Sequence, residues 1–185
     1  MRYIIGLLIG IGLIVLTFIL IFKAFSGPGA PKTQTIDLNS YATTDAVVRV
    51  TFNGPVTYNS SHQSIRITVG ADQVLYEQIQ GYQGTLVKSQ TYPNNRDAYA
   101  VFLRALNFQG FTKGDPSKPK DERGYCPLGR TYVYEGLTGG DNIFRWWNDS
   151  CTANEGNFLG QGGTIRQLFT RQVPDYNTIS RGVSL

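Results

Sequence analysis

The side chains of this sequence that could carry chemistry are four neighbouring acids, one imidazole, two thiols and a run of aromatic rings. Glu135, Asp141, Asp149 and Glu155 fall close together around a Tyr-, Phe- and Trp-rich stretch. Two carboxylates facing each other across a cleft within about 10 Å can hydrolyse a glycosidic bond as acid and base, or as acid and nucleophile. The sequence supplies the acids but not their facing. A Ser-His-acid or Cys-His mechanism needs an imidazole as base, and His62 is the only histidine. It follows the polar turn Tyr58-Asn59-Ser60-Ser61, where a solvated histidine is expected.

Cys126 and Cys151 enclose the aromatic stretch. In an exported domain two cysteines are expected to form one disulfide. Closing a loop of about 26 residues would contribute about 3.5 kcal/mol in the chain-entropy model. The alternatives are a metal site and a cysteine nucleophile. One histidine and no Cys-x-x-Cys leave a four-ligand zinc site short of nitrogen and sulfur donors, so no metal and no cofactor is expected. Between the cysteines, Tyr132, Tyr134, Trp146 and Trp147 are the candidate binding residues, with Phe144 among them and Tyr125 beside Cys126. Their rings could stack on sugars or anchor a protein partner, or simply form cross-strand and core pairs. Trp146 and Trp147 are adjacent, so a regular strand sends them to opposite faces, one inward and one outward.

Two other function classes are disfavoured. Gly156, Gly160, Gly162 and Gly163 precede a helical pattern, but Thr164-Ile165-Arg166 stands where a phosphate loop needs Lys followed by Ser or Thr. The net charge is +4. With Arg2 and Lys23 set aside, basic residues outnumber acidic ones by only two, and no basic run follows a phosphate backbone, so no nucleic-acid partner is expected. Asn59 and Asn148 begin Asn-x-Ser sequons, which matter only in a eukaryotic secretory pathway.

The elements that must position these groups are legible as periodicities. Val48, Val50 and Phe52 alternate with Arg49 and Thr51, and Ile65, Ile67 and Val69 with Arg66 and Thr68, as in half-buried strands. Asn53-Gly54-Pro55 marks a turn between them. Val74 to Ile79 and Thr85 to Lys88 read as further strands. Ala98, Val101, Phe102, Ala105 and Leu106 recur at helical spacing, with Asn94 or Asn95 as N-cap and Gly110 past the end. The mixed-charge stretch Lys113 to Arg123 reads as a solvated loop. Thr131 to Leu137 and Ile143 to Trp147 flank a Gly-rich turn and predict a hairpin. A second helix is expected from Thr164, with Gln167 completing a capping box, to just before Pro174.

At 185 residues and 41% apolar the chain is long and apolar enough for one packed domain plus an extension. Ile4 to Phe22 run without a charge, near the roughly 20 residues that cross a bilayer. The segment is longer than a typical signal-peptide core of about 7 to 15 residues. A retained anchor over residues 1–25 is therefore expected, with cleavage after Ser26 and secretion as the competing outcome. The N-terminus is expected to stay in the cytosol and the C-terminal domain to be extracytoplasmic. Gly6 and Gly10 form a GxxxG pair that would support a weak homodimer within the membrane. Residues 26–40 form a Gly/Pro-rich stalk, and residues 41–185 the exported domain. A pilin-like assembly subunit is an alternative by analogy, but no acid precedes Asp37, and Gly27-Pro28-Gly29-Ala30-Pro31 stops any helix continuing into the domain.

Glu122-Arg123-Gly124-Tyr125-Cys126-Pro127-Leu128-Gly129-Arg130-Thr131-Tyr132, with Arg145-Trp146, Cys151 and Leu168 to Tyr176, resembles uncharacterised bacterial single-pass membrane proteins bearing an exported domain. The resemblance implies an architecture and a disulfide but no activity. The expectation is an α+β protein: an N-terminal transmembrane helix, then an antiparallel sheet of five to seven strands packed with two helices. Its expected role is a non-enzymatic cell-envelope component binding a protein or glycan partner, with a tethered hydrolase using a carboxylate pair as the alternative.

Overall fold

The computed structural model describes Thr17 and residues 36–151 and 155–185. The expected anchor, its Gly6 and Gly10 pair and most of the stalk lie outside these; among the described residues no helix is long and apolar enough to cross a membrane. The folded unit spans Thr35–Leu185. It starts earlier than the Gly/Pro-rich composition implies. A 3-10 turn, Leu38–Tyr41, opens it, with the Asp37 carboxylate accepting from the Asn39 N–H at 3.0 Å. Leu38 is buried in the core and Ile36 packs against it, so residues 36–40 belong to the domain rather than to the stalk.

The architecture is α+β. Six antiparallel strands, β1 (Val47–Asn53), β2 (Gln63–Val69), β3 (Gln73–Gln80), β4 (Thr85–Pro93), β5 (Thr131–Thr138) and β6 (Asp141–Asp149), form one sheet in the order β4-β3-β2-β1-β5-β6. Among the described residues of the folded unit, three helices accompany it: α1 (Arg96–Phe108), α2 (Gly162–Thr170) and the short α3 (Tyr176–Ile179). The hairpin β5-β6 turns on Gly139 and Gly140, with φ of 58° and 92°. Two consecutive residues of positive φ match the right-handed twist of the strands, and glycine adopts them without a Cβ penalty. The turn is thus tighter than the sequence pattern suggests.

Register decides which side chains meet. Val50 stands opposite Ile67 on one side and Tyr134 on the other, while Phe52 faces Ile65 and Tyr132. These residues share the face covered by α1 and α2, where Phe111 is the hub: its ring lies edge-on to Tyr134 and Phe144, at centroid distances of 6.1 and 5.4 Å, and 5.5 Å from Phe169. The Asn95 side chain caps α1 by accepting from the Ala98 N–H at 2.9 Å, a contact worth about 1 kcal/mol. The buried stripe of α1 is Tyr99, Phe102, Leu103 and Leu106, with Val101 facing solvent. That stripe is rotated from the predicted one because Tyr99 and Leu103 bury more surface than Ala98 and Val101, and the Tyr99 hydroxyl donates to the Ala46 carbonyl at 2.7 Å. The second helix starts at Gly162, and its N-cap residue Gln161 makes no side-chain cap bond, so Thr164 lies inside the helix and closes no capping box.

Candidate functional site

The opposite sheet face is where polar side chains gather. Alternation sends Arg49, Thr51 and Asn53 of β1, Ser64 and Arg66 of β2, Glu77 of β3, Thr131 and Glu135 of β5 and Arg145 of β6 to that side. Charges pair along it: Glu135 lies 3.9 Å from Arg49 and 3.6 Å from Arg145, and Arg66 3.8 Å from Glu77. Such partly exposed pairs contribute little stability individually, about 0 to 1 kcal/mol.

The stretch Lys113 to Arg123, read from its charges as a solvated loop, is mostly exposed, and with the residues up to Arg130 it crosses this face as a strap. Trp147 Nε1–H donates to the Pro119 carbonyl at 2.8 Å, and the Arg145 guanidinium donates to the Lys120 carbonyl at 2.8 Å and to Glu122 at 2.6 Å. The Tyr125 ring packs on Trp147 at 5.0 Å. The Cys126–Cys151 disulfide fastens the strap to the end of β6, and the Val56 N–H donates to the Pro127 carbonyl at 2.8 Å, fastening it to the β1-β2 loop. Asp121, hydrogen-bonded by the Arg123 guanidinium, is held well below the usual carboxylate range, at about 2. The strap ends in a sharp reversal in which Gly124 and Cys126 both take positive φ.

Between strap and sheet lies a cleft of about 570 Å³, within the usual range of about 300 to 1,000 Å³ for small-ligand sites. Thr51, Asn53, Ser64, Arg66 and Thr131 line its floor; Tyr82 and Tyr125 are among its aromatic lining residues. His62 is buried there rather than solvated. Its ring lies flat against Tyr82, and its Nδ1 is 3.2 Å from the Pro55 carbonyl. Donation from Nδ1–H to that carbonyl leaves Nε2 as an acceptor, 3.5 Å from Ser64 Oγ. Ser64, however, donates its proton to Asn53 Oδ1 at 2.9 Å. The serine hydroxyl is thus directed away from the imidazole, as suits a polar floor more than an activated nucleophile. Arg66 brings an unspent donor: its Nε is buried without a hydrogen-bond partner among the described residues.

The residues singled out from sequence are distributed differently. Tyr134 and Trp147 are fully buried, and Tyr132 is 7% exposed. Arg166 of α2 sits over the Tyr132 ring at 3.9 Å and donates to the Tyr134 hydroxyl at 2.9 Å. Burial pushes the Tyr134 phenol up to about 12, against the lowering effect of Arg166. Trp146 is half-buried over Gly114, its Nε1–H donating to the Thr112 carbonyl at 3.1 Å. These four rings therefore form no open platform; helix face and strap each cover one side of the hairpin. Three of the four acids are placed apart or already engaged, and Glu155 is exposed. Asp141 and Asp149 stand at opposite ends of β6, Glu135 is held by two arginines, and Asp149 accepts from the Cys151 N–H at 2.8 Å. Cys126, Cys151 and Asp149 lie within 4.8 Å of one another, but sulfurs bonded to each other offer no thiolate to a metal.

Of the cleft residues, His62 was marked in the sequence only as the lone imidazole and Arg66 only as a polar position of an alternating strand, while Tyr82 carried no signal. They meet because β2, the β3-β4 turn and the strap converge in space. No protein-family model matches the chain, and no curated protein matches it in sequence.

Proposed function

We propose that this protein is a membrane-tethered, extracytoplasmic binding domain, and that its site is the cleft under the disulfide-fastened strap rather than the aromatic hairpin. In this reading the apolar segment 3–25 holds the chain in the membrane with its N-terminus in the cytosol, and residues beyond it present the domain to the cell envelope. The resemblance to bacterial single-pass proteins supports that arrangement.

The observation that carries the proposal is the union of tyrosine rings with a polar floor in one cleft. Tyr82 is 55% exposed, so its ring can pack against a ligand while His62 supports its other side. Arg66 and His62, a few residues apart, add a guanidinium and an imidazole to the lining. Ring faces beside donors and acceptors suit a ligand with both apolar faces and hydroxyl or amide edges, and a glycan segment of the envelope is the class proposed. The test is calorimetric titration of the full-length chain in detergent micelles with soluble cell-wall glycan fragments. Saturable binding that weakens at least tenfold in Tyr82→Ala and in Tyr125→Ala is expected. Binding that both variants leave unchanged would remove the cleft from the site, and absence of binding would remove the glycan.

A further inference from the structure

The two edges of the sheet are finished differently. At β6 the segment after the disulfide closes the edge: the Phe158 N–H donates to the Trp147 carbonyl at 2.9 Å, and the Trp147 N–H donates to Asn157 Oδ1 at 2.7 Å. At β4 nothing among the described residues does so. Eight of its nine residues are exposed, with Leu86 and Val87 at 53% and 59%. Such an edge is a template for another strand.

The ladder shows which backbone groups are free. The Asn94 N–H donates to the Asp72 carbonyl at 2.9 Å, which fixes the phase of the β3-β4 pairing. Antiparallel alternation then turns Tyr92 and Gln90 toward β3 and leaves the N–H and C=O of Ser89 and Thr91 pointing outward. The regular stretch is short. On one side Val87 is the extra residue of a β-bulge, since Leu86 pairs with Ile79 and Lys88 with Gln78; on the other, Pro93 has no N–H to give. What remains, Lys88 to Tyr92, is centred on Gln90, with its two outward-facing residues placed symmetrically about that centre.

We infer that β4 is a self-association edge: two copies of this chain pair their β4 strands antiparallel about a two-fold axis at Gln90, joining two six-stranded sheets. In that register Ser89 exchanges two backbone hydrogen bonds with Thr91 of the second copy, and Thr91 two with its Ser89. Gln90 meets Gln90, after releasing the 3.1 Å bond its side-chain amide makes to the Thr91 carbonyl. Lys88, the only charge in the strand, meets Tyr92 and not its own copy, so no like charges oppose one another. A second copy is the occupant because the free groups are self-complementary, and because tethering to one membrane raises the local concentration that a short ladder needs. The inference is independent of the cleft.

Position-specific cross-linking in the full-length chain in micelles tests it. A non-hydrogen-bonded antiparallel pair holds its Cα atoms about 4.5 Å apart, within the span a disulfide needs. Gln90→Cys should therefore give a covalent dimer under mild oxidation, whereas Lys88→Cys, whose partner in this register is Tyr92, should give at most a tenth as much. Thr91→Pro and Ser89→Glu should each shift the sedimenting species of the otherwise unmodified chain from dimer to monomer, the first by deleting an outward N–H and the second by placing added charges at the seam. Equal cross-linking at positions 88 and 90, or none at 90, would overturn the register; an unmodified chain that sediments as a monomer at every concentration, or dimers untouched by both edge variants, would overturn the edge.

Discussion

The imidazole of His62 lies flat on the Tyr82 ring, the centroids 4.3 Å apart and the planes 16° from parallel. The stack is braced from both ends. The Tyr82 hydroxyl donates to the Thr57 carbonyl at 2.9 Å and accepts from the Thr57 N–H at 3.1 Å, while the Tyr82 N–H donates to Asn59 Oδ1 at 2.8 Å. The turn before β2 and the turn after β3 are thereby locked into one wall of the cleft.

His62→Ala should lose that support. An aromatic pair is worth about 0.5 to 1.5 kcal/mol beyond its area, so a comparable loss of stability is expected in chemical denaturation. Affinity for a cleft ligand should fall more than the stability change implies, because the freed Tyr82 must be ordered again on binding. Parallel denaturation and titration measurements separate the two; unchanged affinity at reduced stability would limit His62 to a structural part.

Replacing Cys126 and Cys151 together by serine should cost about 2 to 4 kcal/mol, by releasing a long loop in the unfolded chain, and should loosen the strap. Hydrogen exchange should rise at the Val56 and Gly129 amides, which donate to the Pro127 and Cys126 carbonyls. Intact mass with and without reductant and an alkylating agent checks that the two thiols are paired in the native protein.

Gly114 is obligatory for a different reason from the turn glycines: a Cβ there would overlap the six-membered ring of Trp146. Gly114→Ala should therefore destabilise by about 1 to 3 kcal/mol, the usual cost of forcing extra volume into a packed site, and shift Trp146 fluorescence. Trp147→Ala, at a fully buried position, should cost about 3 to 5 kcal/mol. Urea melts followed by fluorescence and circular dichroism distinguish these outcomes from the small changes expected of a surface tryptophan.

Alkali should unfold the domain through its buried phenols. Burial raises Tyr134 and Tyr176 from 10.0 to about 12, and Tyr99 further still. A phenol that ionises later in the folded than in the unfolded chain contributes stability that is fully present below pH 10. That stability is lost as pH rises from 10 through about 12, because the unfolded state gives up its proton first. The predicted signature is a cooperative loss of near-ultraviolet dichroism in that window, coincident with the appearance of tyrosinate absorbance.

Periodicity by itself determined most of the sheet. Alternation in Val48 to Phe52 and Ile65 to Val69, the Gly139-Gly140 turn and the Asn95 cap are local signals, and each acts in the structure where the sequence has it. The α+β class and the Cys126–Cys151 pair follow from the same kind of reading. Local signals carry no information on what covers a strand once it is paired. In sequence Trp147 was compatible with a binding platform as well as with a core, and the passage of residues 119 to 125 across it decided for the core. The charges of that segment describe its outer side, while its backbone carbonyls, which sequence does not distinguish, do the fastening. His62 illustrates the same limit: a polar turn predicts exposure, but the β3-β4 turn, a strand away in space, brings Tyr82 over it. Burial is a property of what arrives from elsewhere in the chain, so the cleft existed only once the tertiary structure had brought strap, turn and sheet together.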